Sequence, residues 1–279
     1  MAPLALFGVA EARHYCRTFN GSAGPSEGSL DAYVALGPAR SLREGTAEFD
    51  QYRDCSLRDV ERRVFMAVSH YRRSLDLMTP GAAWWAHVTL YYGSFFSAGA
   101  LLSMFGGRVL KNARIEVKSS RPGNQELVAI AGSGSTYSGS HQRFWDLFYS
   151  SVRSLVPVVD APLRIALTPV NNRATWQIES RNLVNYDSFH SIALAGDFQN
   201  GFDRRNFPMS LPGMLRTQFE VLEALLLLTL EFAGQFGLVT DALRALVPVG
   251  PRRTKLRRLV FEDRPPGLLR KIKRTQVLA

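Results

Sequence analysis

The chain has 279 residues, 46% hydrophobic and 21% charged, which excludes an intrinsically disordered polypeptide and leaves room for one large core or two small ones. Its 34 basic and 24 acidic residues give a formal net charge of +10, a balance that favours polyanions (RNA, DNA or an anionic membrane surface) without choosing among them, and that a basic protein with no such partner also shows. The two cysteines, Cys16 and Cys55, have no further Cys or His at metal-ligand spacing, so no metal site and a reducing, cytoplasmic compartment are expected.

Residues 1–8 carry no basic stretch and too short an apolar run for a signal peptide. A short helix is expected through residues 10–13, then a loop rich in Gly, Ser and Pro over 19–30, then a weakly patterned stretch to about residue 54. Together they make an N-terminal extension over residues 1–55. The first strong helix is predicted over 56–77. Ser56 opens it as a cap, and Val60, Val64, Ala67, Val68, Tyr71 and Leu75 follow at the spacing of one apolar face.

Thr79-Pro80-Gly81 ends that helix, and a second runs over 82–105 to a stop at Gly106-Gly107. A short turn between two long helices makes an antiparallel hairpin. Residues 84–106 contain no Asp, Glu, Lys or Arg, enough length to cross a bilayer. His87, Thr89, Tyr91, Tyr92, Ser94, Ser97 and Ser103 interrupt the run, so it reads as a buried central helix and no membrane span is expected.

Alternation over 113–119, turn formers at 121–124 and an apolar run over 125–131 predict a β-hairpin. A Gly/Ser-rich loop over 132–140 follows; its Gly132-Ser133-Gly134-Ser135-Thr136 has no lysine after it and is not a phosphate loop. Residues 141–156 are helical, with Phe144, Leu147, Phe148, Val152 and Leu155 on one face. A connector spans 157–172, Asn171-Asn172-Arg173 caps a third key helix over 173–186, and 187–212 reads as loop. A long amphipathic helix covers 211–238 and a short one 240–246. The expected fold is therefore mainly α: a helical bundle over 56–246 with a small β-hairpin insertion near 113–131, and a basic tail over 247–279. That tail carries Arg252, Arg253, Lys255, Arg257, Arg258, Arg270, Lys271, Lys273 and Arg274, candidates for nucleic-acid binding or for a solvated terminus.

Two segments carry a family resemblance. The second helix reads Tyr91-Tyr92-Gly93-Ser94-Phe95-Phe96-Ser97-Ala98-Gly99-Ala100-Leu101-Leu102, similar to the second-helix signature of the HEPN superfamily: paired Tyr, then Phe, then Ala-x-Ala-Leu-Leu. Family members often carry His one place after the Phe, where this chain has Phe96. The third helix holds Arg181-Asn182-Leu183-Val184-Asn185-Tyr186, which resembles the family's Arg-polar-x3-His motif with Tyr186 in place of His. The resemblance implies a HEPN-like helical bundle, a homodimer whose two Arg181 patches face each other, and metal-independent endoribonuclease or RNA-binding activity without a cofactor. It also implies a bacterial defence or toxin–antitoxin setting with a protein partner encoded nearby. The alternative is a non-catalytic scaffold or partner-binding protein that has lost nuclease activity.

The residues support the same site on their own terms. One turn separates Arg181 from Asn185 and Asn182 from Tyr186, so the four share a polar patch about 140° wide, with Leu183 and Val184 expected toward the core. A guanidinium there can hold a phosphate bidentately, or be tied up by Glu179 or Asp187. Tyrosine is a poor base near neutral pH, so His190 is the candidate replacement imidazole. The candidate catalytic set is Arg181, Asn182, Tyr186 and His190.

Overall fold

The structure, a computed structural model, describes residues 2–17, 19, 41–110, 113–131 and 140–238. The basic tail, the 240–246 helix, the Gly/Ser loop at 132–139 and nearly all of the 19–30 loop lie outside these described residues. The fold is mainly α, with a small antiparallel sheet.

In chain order the elements are α1 (Val9–Arg17), β1 (Ser41–Arg43), α2 (Ala47–Asp76), α3 (Ala83–Met104), β2 (Arg108–Val109), β3 (Ala113–Ser119), β4 (Glu126–Ala131), α4 (Ser140–Ser151), α5 (Trp176–Tyr186), α6 (Ser188–Gly201) and α7 (Gly213–Gln235). Short 3-10 turns at Val152–Val158, Ala161–Ala166 and Val170–Asn172 carry the chain from α4 to α5.

The helical hairpin stands where the sequence predicts it, but α2 starts nine residues before Ser56. Thr46 is the cap, accepting from the Phe49 amide at 3.3 Å, and Phe49, Tyr52 and Cys55 extend the buried face. Ser56 lies inside the helix at 1% exposure. The boundary expected at residue 55 thus falls within α2, and α1 joins the same core through Ala12, Tyr15 and Cys16. Both cysteines are free and buried, and burial pushes the Cys16 thiol up from its ordinary value.

α3 is the central element, packed against α2, α5, α6 and α7. Two glycines make the contacts around it possible. A side chain on Gly93 would meet Leu222 of α7 at 2.7 Å, and one on Gly106 (φ +78°) would meet the Phe7 ring at 2.5 Å. Gly106 ends α3 in the left-handed region that favours glycine. No helix among the described residues is long and apolar enough to cross a membrane.

The predicted hairpin is β3–β4, with Ile115 opposite Ala129 and Val117 opposite Leu127 on its buried face. Two short strands extend it to a sheet of order β1-β4-β3-β2. Beside it, Val117 N–H donates to the Ala5 carbonyl and Phe7 N–H to the Phe105 carbonyl, so the N-terminal segment ties the sheet to the end of α3.

Two further expectations differ from the structure. Residues 188–201, read as loop, are α6, which Asp187 caps by accepting from the Phe189 amide at 2.9 Å. Only Leu194 and Phe198 of α6 are buried, so its apolar residues mark no single face. Asn171 and Asn172 do not cap α5; they turn the chain with φ of 53° and 56°, and Thr175 stands at the cap position without bonding a backbone amide through its side chain.

Candidate functional site

A buried polar thread fixes the rotation of α5 against α3. Ser180 Oγ and His87 Nε2 are 2.8 Å apart. Gln177 donates to Tyr149 at 3.0 Å and accepts from Gln218 of α7 at 2.8 Å, while Gln218 also donates to Ser94 at 3.2 Å. Unmade bonds at such depth would each cost on the order of 1–3 kcal/mol, so the thread selects one rotational setting. With Ser180 turned inward, the next residue, Arg181, emerges at the flank of α3 beside Tyr91 and Tyr92.

Burial drives the His87 imidazole from its ordinary 6.5 down to about 4. The folded protein therefore keeps His87 neutral, while the unfolded chain takes up a proton as pH falls below 6.5. Stability is fully present above pH 6.5 and declines until pH reaches about 4, by about 3 kcal/mol across that interval. Urea unfolding at pH 7 and pH 4.5 measures this, and His87→Gln flattens the slope. Equal midpoints for the native chain at both pH values would contradict it.

Arg181 sits in an aromatic setting. Its guanidinium carbon lies 5.1 Å from the Tyr91 ring centroid, Nη1 donates to the Tyr92 hydroxyl at 3.4 Å, and Nη2 donates to Asn182 Oδ1 at 2.7 Å. Nε is buried with no hydrogen-bond partner. Neither expected carboxylate pairs with it: Glu179 bonds Arg173 and Thr175, and Asp187 bonds His190. Arg181 is thus a cation held by rings and an amide, with no carboxylate partner among the described residues.

A second imidazole stands beside it, one the sequence reading missed. His141, at the start of α4, has Nδ1 2.7 Å from the Tyr91 hydroxyl and stacks on Phe95 with centroids 4.6 Å apart. Burial, and then the charge of Arg181, lower its pKa from the ordinary 6.5. The tautomer protonated at Nδ1 donates to Tyr91 and leaves Nε2 with its lone pair as a base. The one available signal is its place at the head of the amphipathic stretch containing Phe144 and Phe148; the contact itself comes from α4 packing on α3.

The other candidates are arranged differently. Asn182 joins Arg181 directly. Tyr186 ends α5 with 74% of its surface exposed, and bonds to neither Arg181 nor His141 among the described contacts. His190 pairs with Asp187 at 2.9 Å in the first turn of α6, and that bond is the main cause holding the Asp187 carboxyl below its ordinary value. Val184 is buried as expected, but Leu183 is 40% exposed because α5 buries the line Trp176, Gln177, Ser180, Val184. Among the described residues no group of three or more His, Cys, Asp and Glu side chains is placed to hold a metal ion.

Comparison with protein-family models, curated proteins and solved structures finds no match to this chain.

Proposed function

We propose that the chain acts on RNA, as a HEPN-like, metal-independent endoribonuclease that grips a phosphodiester with Arg181 and uses His141 as its base. The observation that carries this reading is the Arg181 guanidinium, free of any carboxylate among the described residues and electrostatically coupled to a half-buried imidazole. The guanidinium neutralises the phosphate and the charge that develops on it in the transition state. Neutral His141 removes the proton of the ribose 2′-hydroxyl, which attacks the adjacent phosphorus and expels the 5′-oxygen of the next nucleotide, and that oxygen takes its proton from water. The products are a 2′,3′-cyclic phosphate and a 5′-hydroxyl, and no cofactor enters the balance. The Tyr91 hydroxyl orients the imidazole. Tyr186 lies farther out along α5 as a stacking surface for RNA.

A homodimer belongs to the same proposal. Leu183, Phe189 and Ile192 are exposed apolar side chains on either side of the α5–α6 junction, the last two more than 70% exposed, and a second copy on this edge covers them. The cytoplasmic, defence-type setting and a partner encoded nearby also remain proposals resting on the resemblance.

The pH dependence tests the role of His141. Its pKa lies below 6.5, and the neutral form is the active one. Cleavage should therefore hold from pH 8 to below pH 6.5 and fall only as pH drops through the lowered pKa. His141→Gln removes general-base catalysis, an expected loss of about 10²–10⁴-fold. A profile of kcat/KM against pH measures both; an acid limb centred above pH 7, or an unaffected variant, contradicts the assignment.

One observation favours the non-catalytic alternative. The motif's own imidazole position is Tyr186, and His190 is engaged by Asp187. RNA affinity without turnover at any pH would select that reading.

A further inference from the structure

The outer side of α3 is unusual: Trp85 is exposed, while Trp84, Tyr92, Phe95 and Phe96 pack partly on the core and keep the rest of their surface open. Of its residues Ala83–Met104, those not buried are Trp84, Trp85, Thr89, Tyr92, Phe95 and Phe96, so five of the six are aromatic. A soluble helix ordinarily turns charged or polar side chains outward. Trp85, Thr89, Tyr92 and Phe96 fall at spacings of four, three and four, within about 40° of one line on the helix. Trp85 is 46% exposed and stacks on Trp84 at 4.2 Å. Tyr92 and Phe96 meet the His70 ring of α2 edge-on at 6.1 and 5.3 Å. On the other flank stand Arg181, bonded to the Tyr92 hydroxyl, and His141, stacked on Phe95.

A line of rings with an unbalanced cation at its middle matches one chemistry closely. Bases offer faces to aromatic rings, and the phosphate between them offers an anion to Arg181. We propose that this stripe is a base-stacking track, and that the substrate is single-stranded RNA laid along α3 with its bases on Trp85, Tyr92 and Phe96. The proposal rests on the reading of Arg181 as a phosphate-binding residue and adds the substrate class. From Trp85 to Phe96 the track is about 16 Å long, room for about three to five nucleotides. A duplex keeps its base faces stacked inside and cannot use it.

The test measures binding of the full chain to a 2′-O-methyl oligouridylate, which no 2′-hydroxyl attack can cleave, and to the same strand annealed to its complement. The single strand should bind about tenfold or more tightly than the duplex. Trp85→Ala should weaken single-strand binding about tenfold with the salt dependence unchanged, since a ring contributes no counterion release. Arg181→Ala should weaken both substrates and reduce the salt slope by about one. Phe96→Ala gives the second variant should Trp85 lie beyond the strand's reach. If Arg181→Ala weakens binding while Trp85→Ala and Phe96→Ala both leave it unchanged, the track is overturned and the phosphate site stands. If all three variants bind as the native chain does, the phosphate site falls with it. Conversion of a dimer to a monomer by Trp85→Ala, seen by light scattering, assigns the stripe to an interface between copies and also overturns the track.

Discussion

Replacing Arg181 with alanine should lower RNA cleavage by at least 100-fold while leaving the fold intact. Arg181 is the cation at the centre of the site, and removing one preorganised donor from a developing anion costs on the order of 10²–10³ in rate. Its bonds to Tyr92 and Asn182 are only part-buried, so alanine leaves no fully buried group without a partner on their side. Arg181→Lys should not restore activity. A lysine ammonium is compact and lacks the planar fork that reaches Tyr92 and Asn182 together while lying over Tyr91. Single-turnover cleavage by the three proteins, with circular dichroism to confirm folding, reads this directly. Activity of Arg181→Ala within a few fold of the native chain would remove Arg181 from the chemistry.

Trp145→Ala is the substitution with the largest expected effect on stability, a loss of about 3–5 kcal/mol. Trp145 is fully buried in α4 and meets the rings of Tyr91, Phe95, Phe144, Phe148 and Tyr149. Alanine leaves a cavity that these rigid rings fill poorly, because each is pinned by further neighbours. Tyr91 and Phe95 also position His141, so cleavage should fall further than the folded fraction alone predicts. Trp145→Phe should recover more than half of the loss. The urea midpoint measures it, and a change below about 1 kcal/mol would show that the cluster does not anchor α4.

The helical hairpin was legible because its signals are local. Pro80-Gly81 and Gly106-Gly107 punctuate α3, and an uncharged run between them has only a core to occupy. The β3–β4 hairpin was legible from alternation and from its turn. α6 was not, since its apolar residues scatter around the helix, and β1 and β2 are too short to carry any period. The early start of α2 was hidden because Ser56 looks like a cap when its burial is unknown.

The site divides the same way. Arg181 and Asn182 are neighbours in sequence and stay together in the fold. His141 is 40 positions before Arg181, and nothing in its local sequence points to Tyr91; two helices packing on α3 bring it there. His190 was attractive because it is near Arg181 in sequence, yet a helix start turns it toward Asp187. Proximity along the chain joins Arg181 to Asn182 but not to His190, and only tertiary packing brings His141 to the Tyr91 ring that Arg181 overlies.

The central claim is that Arg181 holds a phosphate of RNA, and its most direct measurement is the salt dependence of RNA binding in EDTA for the native chain and Arg181→Ala. Binding by the native chain should be salt-sensitive, with a lower affinity and a salt slope smaller by about one for the variant. Superimposable salt curves for the two proteins, or no salt-sensitive RNA binding by the native chain, would contradict it.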